Sequence, residues 1–450
     1  MSAPPVNTPP VNALQRLRSA VESGLEEHPL VRVGGIVREV APTHVRVSGL
    51  SSFVTLGERV GFEQASGTSI GEVVRIDAAG AVVKPFDERV SVGIGTPAFR
   101  IGPLALSPDR SWKGRVIDAL GRPLDRPEPL AHGPRRMPLD AEPPPAMARG
   151  RVHRPLVTGV RAVDIFTPIC EGQRIGIFAG SGVGKSTLLS MFARSAGFDT
   201  VVVALVGERG REVREFLEGP LAASRDRAVV IVSTSDQSPM MRRLAPQAAL
   251  AVAEYFRDAG ESVLLIVDSV TRYAHAARDV ALAAGEPAVA RGYAPSVFST
   301  LPKLLERAGP GMEGEGAITG IFSVLVDGDN HNDPVADAIR GTLDGHIVLD
   351  RAIADQGRFP AINLLGSISR LAGEVWSEPE RDLVRRLKAM IARFEDTSDL
   401  RLMGGYQPGA DGELDQAVAI VPRIYDALRQ DPGDPPSLAA FSDLAAALKA

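Results

Sequence analysis

Between residues 174 and 370 the chain alternates short apolar runs with segments of helical periodicity. The apolar runs are nearly continuous in Val, Ile and Leu, and they read RIGIFAG, VVVALVG, AVVIVSTS, SVLLIVDS, AITGIFSVLV, HIVLD and AINLLGSIS. Strands that are apolar on both faces are typical of a parallel sheet covered by helices on both sides. The pattern therefore predicts an α/β core built on a mainly parallel sheet.

Different patterns flank this core. Residues 27–95 contain short Val-rich runs separated by Gly or Asp, which predict a small β-barrel. From about residue 376 onward, the stretches ERDLVRRLKAMIARF and ELDQAVAIVPRIYDALRQ have helical periodicity. The proline-rich residues 121–155 predict a long extended excursion. We therefore expect a barrel domain over 27–95, an α/β domain over 96–375 and a helical domain over 376–450.

The first 26 residues have a pattern of their own. A Pro-rich lead without the features of a secretory signal is followed by Leu14, Leu17, Val21 and Leu25 at helical spacing, with charged residues between them. This pattern predicts a flexible lead and a short amphipathic helix. The apolar stripe of that helix could dock on its own chain or on a partner, and the sequence leaves both open.

The composition excludes some classes of function. The 450 residues are 44% hydrophobic, enough for several cores, and the formal net charge is −5 with a pI near 5.9. This balance argues against broad binding to nucleic acid or to anionic membranes. No run approaches the roughly 18 apolar residues of a membrane span, and a single cysteine excludes a disulfide framework within the chain. We expect a cytoplasmic protein with a peripheral attachment.

A glycine-rich loop follows the first apolar run of the core. The stretch AGSGVGKS fits the phosphate-loop pattern G-x-x-x-x-G-K-[ST], with Ala179 where the first glycine is usual. Its glycines let backbone N–H groups converge on phosphate oxygens, and Lys185 supplies a positive charge to the β and γ oxygens. Ser186 is the expected Mg²⁺ ligand. The loop therefore predicts a bound phosphate group.

Two further apolar runs lead into carboxylates. Asp268 ends SVLLIVD at the carboxyl edge of the sheet, where α/β proteins bind ligands, and this position predicts that it holds Mg²⁺ through water. Glu208 and Arg209 follow another strand and reach the same edge. Glu208 is therefore the predicted base that activates water, with Arg209 beside it near the γ-phosphate. The neighbouring charges, including Glu212, suit the solvated start of a helix better.

Taken together, these stretches resemble the ATPases built like the catalytic subunit of rotary ATP synthases. The matching stretches are GRVIDALGRPLD, TGVRAVDIFTPICEGQRIGIFAGSGVGKSTLL, VGERGREVREF, LLIVDSVTRYA, DGHIVLDRAIA and FPAINLLGSISRL, and the likeness covers about residues 27–445. Within that group, AGSGVGKS with GERGREV and GSISRL most resembles the flagellum-specific ATPase of the type III protein export apparatus. The resemblance implies a RecA-like P-loop NTPase core, an N-terminal barrel, a C-terminal helical domain and a homohexameric ring.

The resemblance and the motifs together assign roles to individual residues. The predicted catalytic residues are Lys185, Glu208, Arg209 and Arg370. Arg370, in GSISR, is implied to reach into a neighbour's site. The residues that hold Mg²⁺ are Ser186 and Asp268, and Phe359 and Tyr406 fall where aromatic side chains pack on adenine in this group. The phosphate loop is implied to comprise Gly180, Ser181, Gly182, Val183, Gly184, Lys185, Ser186 and Thr187.

The same resemblance implies a substrate, a cofactor and partners. ATP is the implied nucleotide, Mg²⁺ the implied cofactor, and the work is the unfolding or unloading of export substrates and chaperones. The implied partners are other copies of the chain, a stalk protein, the export gate, chaperones with their substrates, and a regulatory subunit at the N-terminal helix. The implied location is the cytoplasmic face of the inner membrane.

Other functions compete with this interpretation. An injectisome ATPase is the nearest alternative, and the sequence leaves the flagellar and injectisome systems open. A synthase catalytic subunit is expected to carry an acidic run where this chain reads WSEPERDLVRRL, which is mixed in sign and disfavours that subunit. A non-catalytic subunit should lack the carboxylate at Glu208, which this chain has. A ring-shaped RNA translocase needs stacking aromatics in a basic groove, whereas residues 27–95 hold only Phe53, Phe62 and Phe86, which suit a core better. We therefore expect no nucleic-acid partner.

Overall fold

The computed structural model describes residues 31–64, 67–88, 91–326 and 333–449. The amphipathic helix predicted within the first 26 residues lies outside these ranges. Contacts divide the chain into two compact units, of which the first ends at Gly102 and the second contains Phe86–Glu88 and the residues from Pro103 onward. Within the described ranges, no helix combines the length and the apolar character that crossing a membrane requires.

The first unit is a closed barrel. Its strands are β1 (Gly34–Val40), β2 (Val45–Ser48), β3 (Glu58–Gln64), β4 (Gly67–Asp77), β5 (Gly80–Pro85) and β6 (Pro97–Pro103). The strands pair in the order β1, β2, β5, β4, β3, β6, and β6 closes the barrel against β1. Val37, Val45, Val47 and Phe62 fill the interior, whereas Phe53, expected in the core, is 58% exposed. The predicted β-barrel is confirmed.

The second unit is organised around one large sheet. Its strands, in chain order, are β7 (Ala105–Leu106), β8 (Val116–Asp118), β9 (Met137–Pro138), β10 (Pro155–Leu156), β11 (Ile169–Cys170), β12 (Arg174–Ala179), β13 (Thr200–Val206), β14 (Ala228–Ser233), β15 (Ser262–Asp268), β16 (Gly309–Pro310), β17 (Ala317–Leu325), β18 (Gly345–Leu349) and β19 (Ile368–Ser369). The sheet has nine strands in the order β19, β18, β12, β17, β15, β13, β14, β8, with β16 paired to β17. Within it, β16 and β19 are antiparallel to their neighbours and the other strands are parallel.

Some helices alternate with the strands of this sheet along the chain, and others follow its last strand. They are α1 (Arg161–Phe166), α2 (Lys185–Arg194), α3 (Gly210–Glu218), α4 (Pro239–Asp258), α5 (Val270–Ala283), α6 (Pro295–Glu306), α7 (Pro334–Thr342), α8 (Arg351–Asp355), α9 (Ala372–Val375), α10 (Glu378–Asp396), α11 (Ser398–Leu402), α12 (Gly412–Leu428) and α13 (Ala440–Lys449). Short 3₁₀ helices occupy Arg110–Trp112, Ala222–Arg227 and Ala290–Gly292. Beyond β19 the described chain is helical, which confirms the helical C-terminal region.

Burial explains the apolar runs recognised in the sequence. Every residue of β13 and of β14 is buried, as expected for parallel strands covered on both faces. One hydrophobic cluster runs from the sheet into the last helices, so Ile177 of β12 belongs to the same core as Leu387 of α10 and Ile424 of α12. The proline-rich stretch between β8 and β10 contains only the short strand β9. The predicted α/β fold with a mainly parallel sheet is confirmed.

The sheet positions the candidate site through its register. Ala179 at the end of β12 is level with Leu325 in β17 and with Leu349 in β18. Leu205 in β13 is level with Asp268 at the end of β15. The residues that follow these parallel strands therefore emerge at one edge of the sheet, which is where ligands bind in open α/β folds.

Candidate phosphate-binding and catalytic site

The phosphate loop connects β12 to α2. Gly182 and Gly184 have φ angles of 79° and 92°, in the left-handed region that glycine adopts without steric cost. Arg351, the first residue of α8, donates a hydrogen bond from Nη2 to the Ser181 carbonyl oxygen at 3.0 Å. The turn thus leads directly into a ten-residue helix, α2, whose N-terminal N–H groups and dipole favour a bound anion.

A cavity of about 490 Å³ opens in front of the loop. Every predicted loop residue lines it except Val183, whose side chain is buried. The cavity is also lined by acidic and basic side chains from three neighbouring segments, namely Glu208, Arg209, Glu212, Glu215, Asp268 and Arg272. The structure therefore brings the phosphate loop together with the predicted carboxylates and with Arg209.

Lys185 and Asp268 are in contact inside this cavity. Asp268 is only 3% exposed, and its Oδ1 forms an ion pair with Lys185 Nζ. Ser323 Oγ, from β17, donates a hydrogen bond to the same carboxylate oxygen at 2.6 Å. A charge removed from water in this way needs a partner and hydrogen bonds, and Asp268 has both. The lysine and the carboxylate, predicted from separate motifs, form one ionic site.

Glu208 lies beside this ionic site. It follows β13 through Gly207, whose φ of 69° turns the chain toward the cavity. Gly207 also leaves room for a neighbour, because a Cβ there would lie 2.9 Å from Cδ of Arg272. Arg272 Nη2 lies 3.4 Å from Glu208 Oε2, and the Ser235 N–H donates to the Glu208 carbonyl oxygen at 3.0 Å. Contacts to both the side chain and the backbone of Glu208 therefore hold this residue in place.

The carboxyl groups of Glu208 and Glu212 form a hydrogen bond at the edge of the cavity. Burial, together with the charge of Asp268 and a hydrogen bond with Glu212, raises the pKa of Glu208 to about 7. The same hydrogen bond lowers the pKa of Glu212 below its usual range. Glu208 is therefore the member of the pair that holds the proton near neutral pH and that can act as a base when it loses that proton.

The oxygen donors present suit Mg²⁺. Ser186 presents a hydroxyl to the cavity from the first turn of α2, and Asp268 presents a buried carboxylate. Mg²⁺ is commonly bound by one or two protein oxygens together with phosphate oxygens and waters. Across the described residues no three His, Cys, Asp or Glu side chains form a metal cage, so further ligands would come from phosphate and water.

Arg370 lies at the opposite edge of the sheet. Its backbone N–H donates to the Asp344 carbonyl oxygen at 2.9 Å, and the Asp344 N–H donates to the Arg174 carbonyl oxygen at 2.9 Å. Arg370 is therefore level with the beginning of β12, whereas the phosphate loop follows the end of that strand. The six residues of β12, from Arg174 to Ala179, span about 17 Å. An arginine side chain does not extend that far, so Arg370 cannot reach the loop of its own chain.

The two predicted aromatic residues have different surroundings. The ring of Phe359 lies beside the phosphate loop, since a Cβ at Gly184 would lie 3.6 Å from it, and Phe359 is 38% exposed. Tyr406 donates its hydroxyl to Asp415 Oδ1 at 2.6 Å and does not line the cavity in front of the loop. Phe359 does not line that cavity either, so the adenine contacts of Phe359 and Tyr406 both stay predictions.

Known proteins share both the sequence and the fold of this chain. The model of the ATP synthase alpha/beta family nucleotide-binding domain matches residues 159–369, and that of the T3SS EscN ATPase C-terminal domain matches residues 376–449. The flagellum-specific ATP synthase of Agrobacterium fabrum is 58% identical over 416 residues, which cover 92% of this chain and 88% of that protein. The chain belongs to the ATP synthase alpha/beta family.

Within this ATP synthase alpha/beta family, the resemblance extends to secretion ATPases. The type 3 secretion system ATPase of Xanthomonas euvesicatoria is 42% identical over 418 residues, covering 92% of this chain and 93% of that protein. A solved structure of the assembled ATPase EscN with its central stalk EscO, from enteropathogenic E. coli, superposes with a TM-score of 0.83 at 38% identity and covers 92% of this chain and 99% of its own. The predicted family is confirmed, and the chain is an ATPase.

Sequence reasoning missed several residues of this ATPase site. Glu212 lies in the first turn of α3, as expected, but it also forms a hydrogen bond with Glu208, which the sequence reasoning missed. Arg272 pairs with Glu208, and its signal was an arginine in the first turn of the helix that follows Asp268. Ser323 was detectable as a polar residue inside an apolar run. Arg351 had no such signal, because its contact with the phosphate loop joins residues far apart in the chain.

The raised pKa of Glu208 predicts a pH dependence for the ATPase. A general base acts only when deprotonated, so kcat/KM for ATP should rise with pH, with a midpoint at about 7, and should level off only above that midpoint. Glu212→Gln removes the neighbouring carboxylate that raises the pKa of Glu208, and it should move the midpoint of this rise to lower pH. Profiles of kcat/KM against pH for the two proteins measure the shift. An unchanged midpoint would assign the rise to another group.

Proposed function

We propose that this ATPase energises flagellar type III protein export by unloading and unfolding export substrates and their chaperones. The main support for ATP hydrolysis is that Lys185, Asp268 and Glu208 converge on one cavity in front of the phosphate loop. The sequence identities between this chain and its relatives support the choice of the flagellar system. The flagellum-specific relative from Agrobacterium fabrum is 58% identical, and the secretion-system relative from Xanthomonas euvesicatoria is 42% identical.

Each residue of the site has a proposed role. Residues 180–187 hold the phosphates, and Lys185 neutralises charge on the β and γ oxygens. Ser186 and Asp268 hold Mg²⁺, which supplies charge neutralisation between the phosphates when bound. Glu208 orients and deprotonates the attacking water, and the Arg272 guanidinium keeps its carboxylate pointed at the cavity. Arg209, whose side chain is 74% exposed, lies at the rim, where it can contact the γ-phosphate.

We further propose a homohexameric ring in which neighbouring copies complete each site. The position of Arg370 at the far edge of the sheet supports this assembly, because the residue is useful for catalysis only in a site other than its own. The solved EscN structures, which are described as assembled and as bound to a central stalk, support a ring with a stalk protein as partner. Phe359 and Tyr406 are the proposed adenine contacts.

The remaining partners and the location complete the proposal. A regulatory subunit binds the N-terminal helix, the export gate and chaperones with their cargo bind the ring, and nucleic acid is not a ligand. The protein works at the cytoplasmic face of the inner membrane as a peripheral protein. Along the chain we propose a barrel domain that extends past the expected boundary at residue 95 to residue 102, because β6 closes the barrel. A RecA-like ATPase domain then runs to residue 375, and a helical domain covers 376–450.

Glu208→Gln separates nucleotide binding from chemistry. The amide keeps the size of the side chain but cannot accept a proton, so ATP affinity should persist while turnover falls by at least ~10²-fold. Nucleotide binding by titration and steady-state ATPase assays measure the two effects. In a strain that lacks the gene, the wild-type chain should restore swimming and Glu208→Gln should not.

A nearby glutamate provides the matched control for Glu208→Gln. Glu218 lies at the end of α3 outside the cavity, its side chain is 63% exposed, and it pairs with Arg214, so Glu218→Gln should keep near-normal turnover. Loss of ATP affinity together with turnover in Glu208→Gln would give Glu208 a structural role. Full swimming with Glu208→Gln would contradict the proposed coupling of hydrolysis to export.

Deletion of residues 1–26 tests the proposed regulatory partner. The apolar stripe of that segment lies outside the barrel pattern, so the shortened chain should fold and hydrolyse ATP while swimming is reduced. Thermal unfolding, ATPase assays and a swimming assay make the comparison. If the shortened protein unfolds or precipitates, the stripe is part of the core of this chain and does not bind a partner.

A further inference from the structure

A buried glutamine ties the segment that carries Phe359 to the end of α12. Gln430 is 4% exposed, and its backbone N–H donates to the Phe359 carbonyl oxygen at 2.9 Å. Its side chain donates from Nε2 to the Gly159 carbonyl oxygen at 2.7 Å and accepts from the Arg161 N–H at 3.1 Å. One residue thus holds three chain segments together, and one of them ends in the proposed adenine contact.

The residues next to Phe359 are tied to the same helix. The Arg358 guanidinium lies over the Tyr425 ring, 3.9 Å from its centre, and the Tyr425 hydroxyl donates to Glu395 Oε1 at 2.8 Å. Arg429 Nη2 donates to the Gly357 carbonyl oxygen at 3.2 Å. Tyr425 belongs to α12 and Glu395 to α10, so the backbone on the N-terminal side of Phe359 follows the position of the C-terminal helices.

The other end of this segment is tied to the phosphate loop. Arg351 donates to the Ser181 carbonyl oxygen, and the Phe359 ring lies on the side of Gly184 where a Cβ would point, 3.6 Å from that position. Residues 351–360 therefore run between the loop that binds phosphate and the helix that ends at Leu428. A displacement of α12 would act on the Phe359 ring through Arg358 and Gln430, whereas the phosphate loop keeps its own hydrogen bond.

We propose that the Arg358–Tyr425 contact and Gln430 position Phe359, and that they thereby couple the affinity of the site for the adenine base to the position of the C-terminal helices. The base contact, and not the phosphate contacts, is the part of the site that responds to α12. Tyr425, Arg358 and Gln430 are positioning residues, since they act through Phe359. This inference rests on the proposed adenine contact of Phe359.

The test compares ADP, which carries the adenine base, with pyrophosphate, which has no base. Tyr425→Leu removes the ring beneath Arg358, and we expect the inhibition constant for ADP to rise about threefold or more, because the segment that carries Phe359 loses this support. The inhibition constant for pyrophosphate and kcat at saturating ATP should not change. Tyr425→Phe keeps the ring, loses only the hydroxyl, and should behave like the wild type.

Phe359→Leu separates the failure of this inference from that of the proposed adenine contact. A lost base–aromatic stack should weaken ADP about tenfold and leave pyrophosphate unaffected. If Phe359→Leu leaves ADP unaffected, the adenine contact itself is wrong. If Phe359→Leu weakens ADP but Tyr425→Leu does not, or if Tyr425→Leu weakens pyrophosphate equally, the coupling is wrong. Should Tyr425→Leu fail to fold, Arg358→Met removes the same contact from its other partner and decides the question.

Discussion

Replacing Arg370 by alanine is expected to lower ATP turnover by ~10³- to 10⁵-fold while ATP still binds. An arginine supplied by a neighbouring subunit stabilises charge on the transferring phosphoryl group, and this is its typical contribution to the rate, equal to roughly 4–7 kcal/mol. Arg370 is placed for that role because it lies beside Asp344 and Arg174, at the sheet edge remote from its own phosphate loop. Single-turnover and steady-state ATPase assays measure the loss.

The same geometry predicts that turnover depends on assembly. Because a lone chain lacks the arginine that a neighbouring copy would supply, specific activity should rise steeply with protein concentration, and Arg370→Ala protein should inhibit wild-type rings. Arg385, whose side chain is 76% exposed on α10, offers a matched control, and Arg385→Ala should change little. Specific activity that is independent of concentration under dissociating conditions, with a fully active Arg370→Ala variant, would make Arg370 an ordinary surface residue.

Replacing Lys185 by alanine is expected to abolish turnover, with a loss of ~10³-fold or more. Lys185 is the cation of the phosphate loop, and it is paired with Asp268. In the alanine variant, the developing charge on the β and γ oxygens loses its nearest protein cation. Both the affinity for ATP and the rate should therefore fall, which distinguishes this variant from Glu208→Gln. Titration with ATP and ATPase assays measure the two losses.

A lysine elsewhere provides the control for Lys185→Ala. Lys113 is also paired with a carboxylate, Glu261, at 2.8 Å, but it does not line the cavity in front of the phosphate loop. Lys113→Ala should hydrolyse ATP normally, and thermal unfolding checks that both variants fold. Wild-type turnover in a folded Lys185→Ala protein would contradict the proposed site.

The local parts of the site were predictable from the sequence. The phosphate loop, Glu208 and Asp268 each sit where an apolar strand ends, and in a parallel sheet such residues must emerge at one edge. The convergence of these residues therefore follows from the strand pattern alone. The α/β core, the barrel and the C-terminal helices were predictable for the same reason, since each has its own hydrophobic period.

The contacts that tune the site were not predictable in this way. Arg272 and Glu212 reach Glu208 only because Gly207 turns the chain beside α5, and no periodicity encodes that turn. Arg351 reaches Ser181 across a large separation in sequence. The raised pKa of Glu208 depends on burial, which is a property of the whole fold. The sequence thus identifies the groups, and packing decides their partners and their protonation.

The most direct test of a site shared between copies is to mix two inactive variants. Lys185→Ala lacks a working phosphate loop but keeps Arg370, and Arg370→Ala keeps the loop but lacks the arginine. If adjacent copies complete each site, the two proteins should be nearly inactive alone, and their mixture should recover ATPase activity at about a quarter of the interfaces in a random 1:1 ring. If the mixture stays as inactive as its components although the two proteins assemble together, Arg370 does not act in the site of a neighbour.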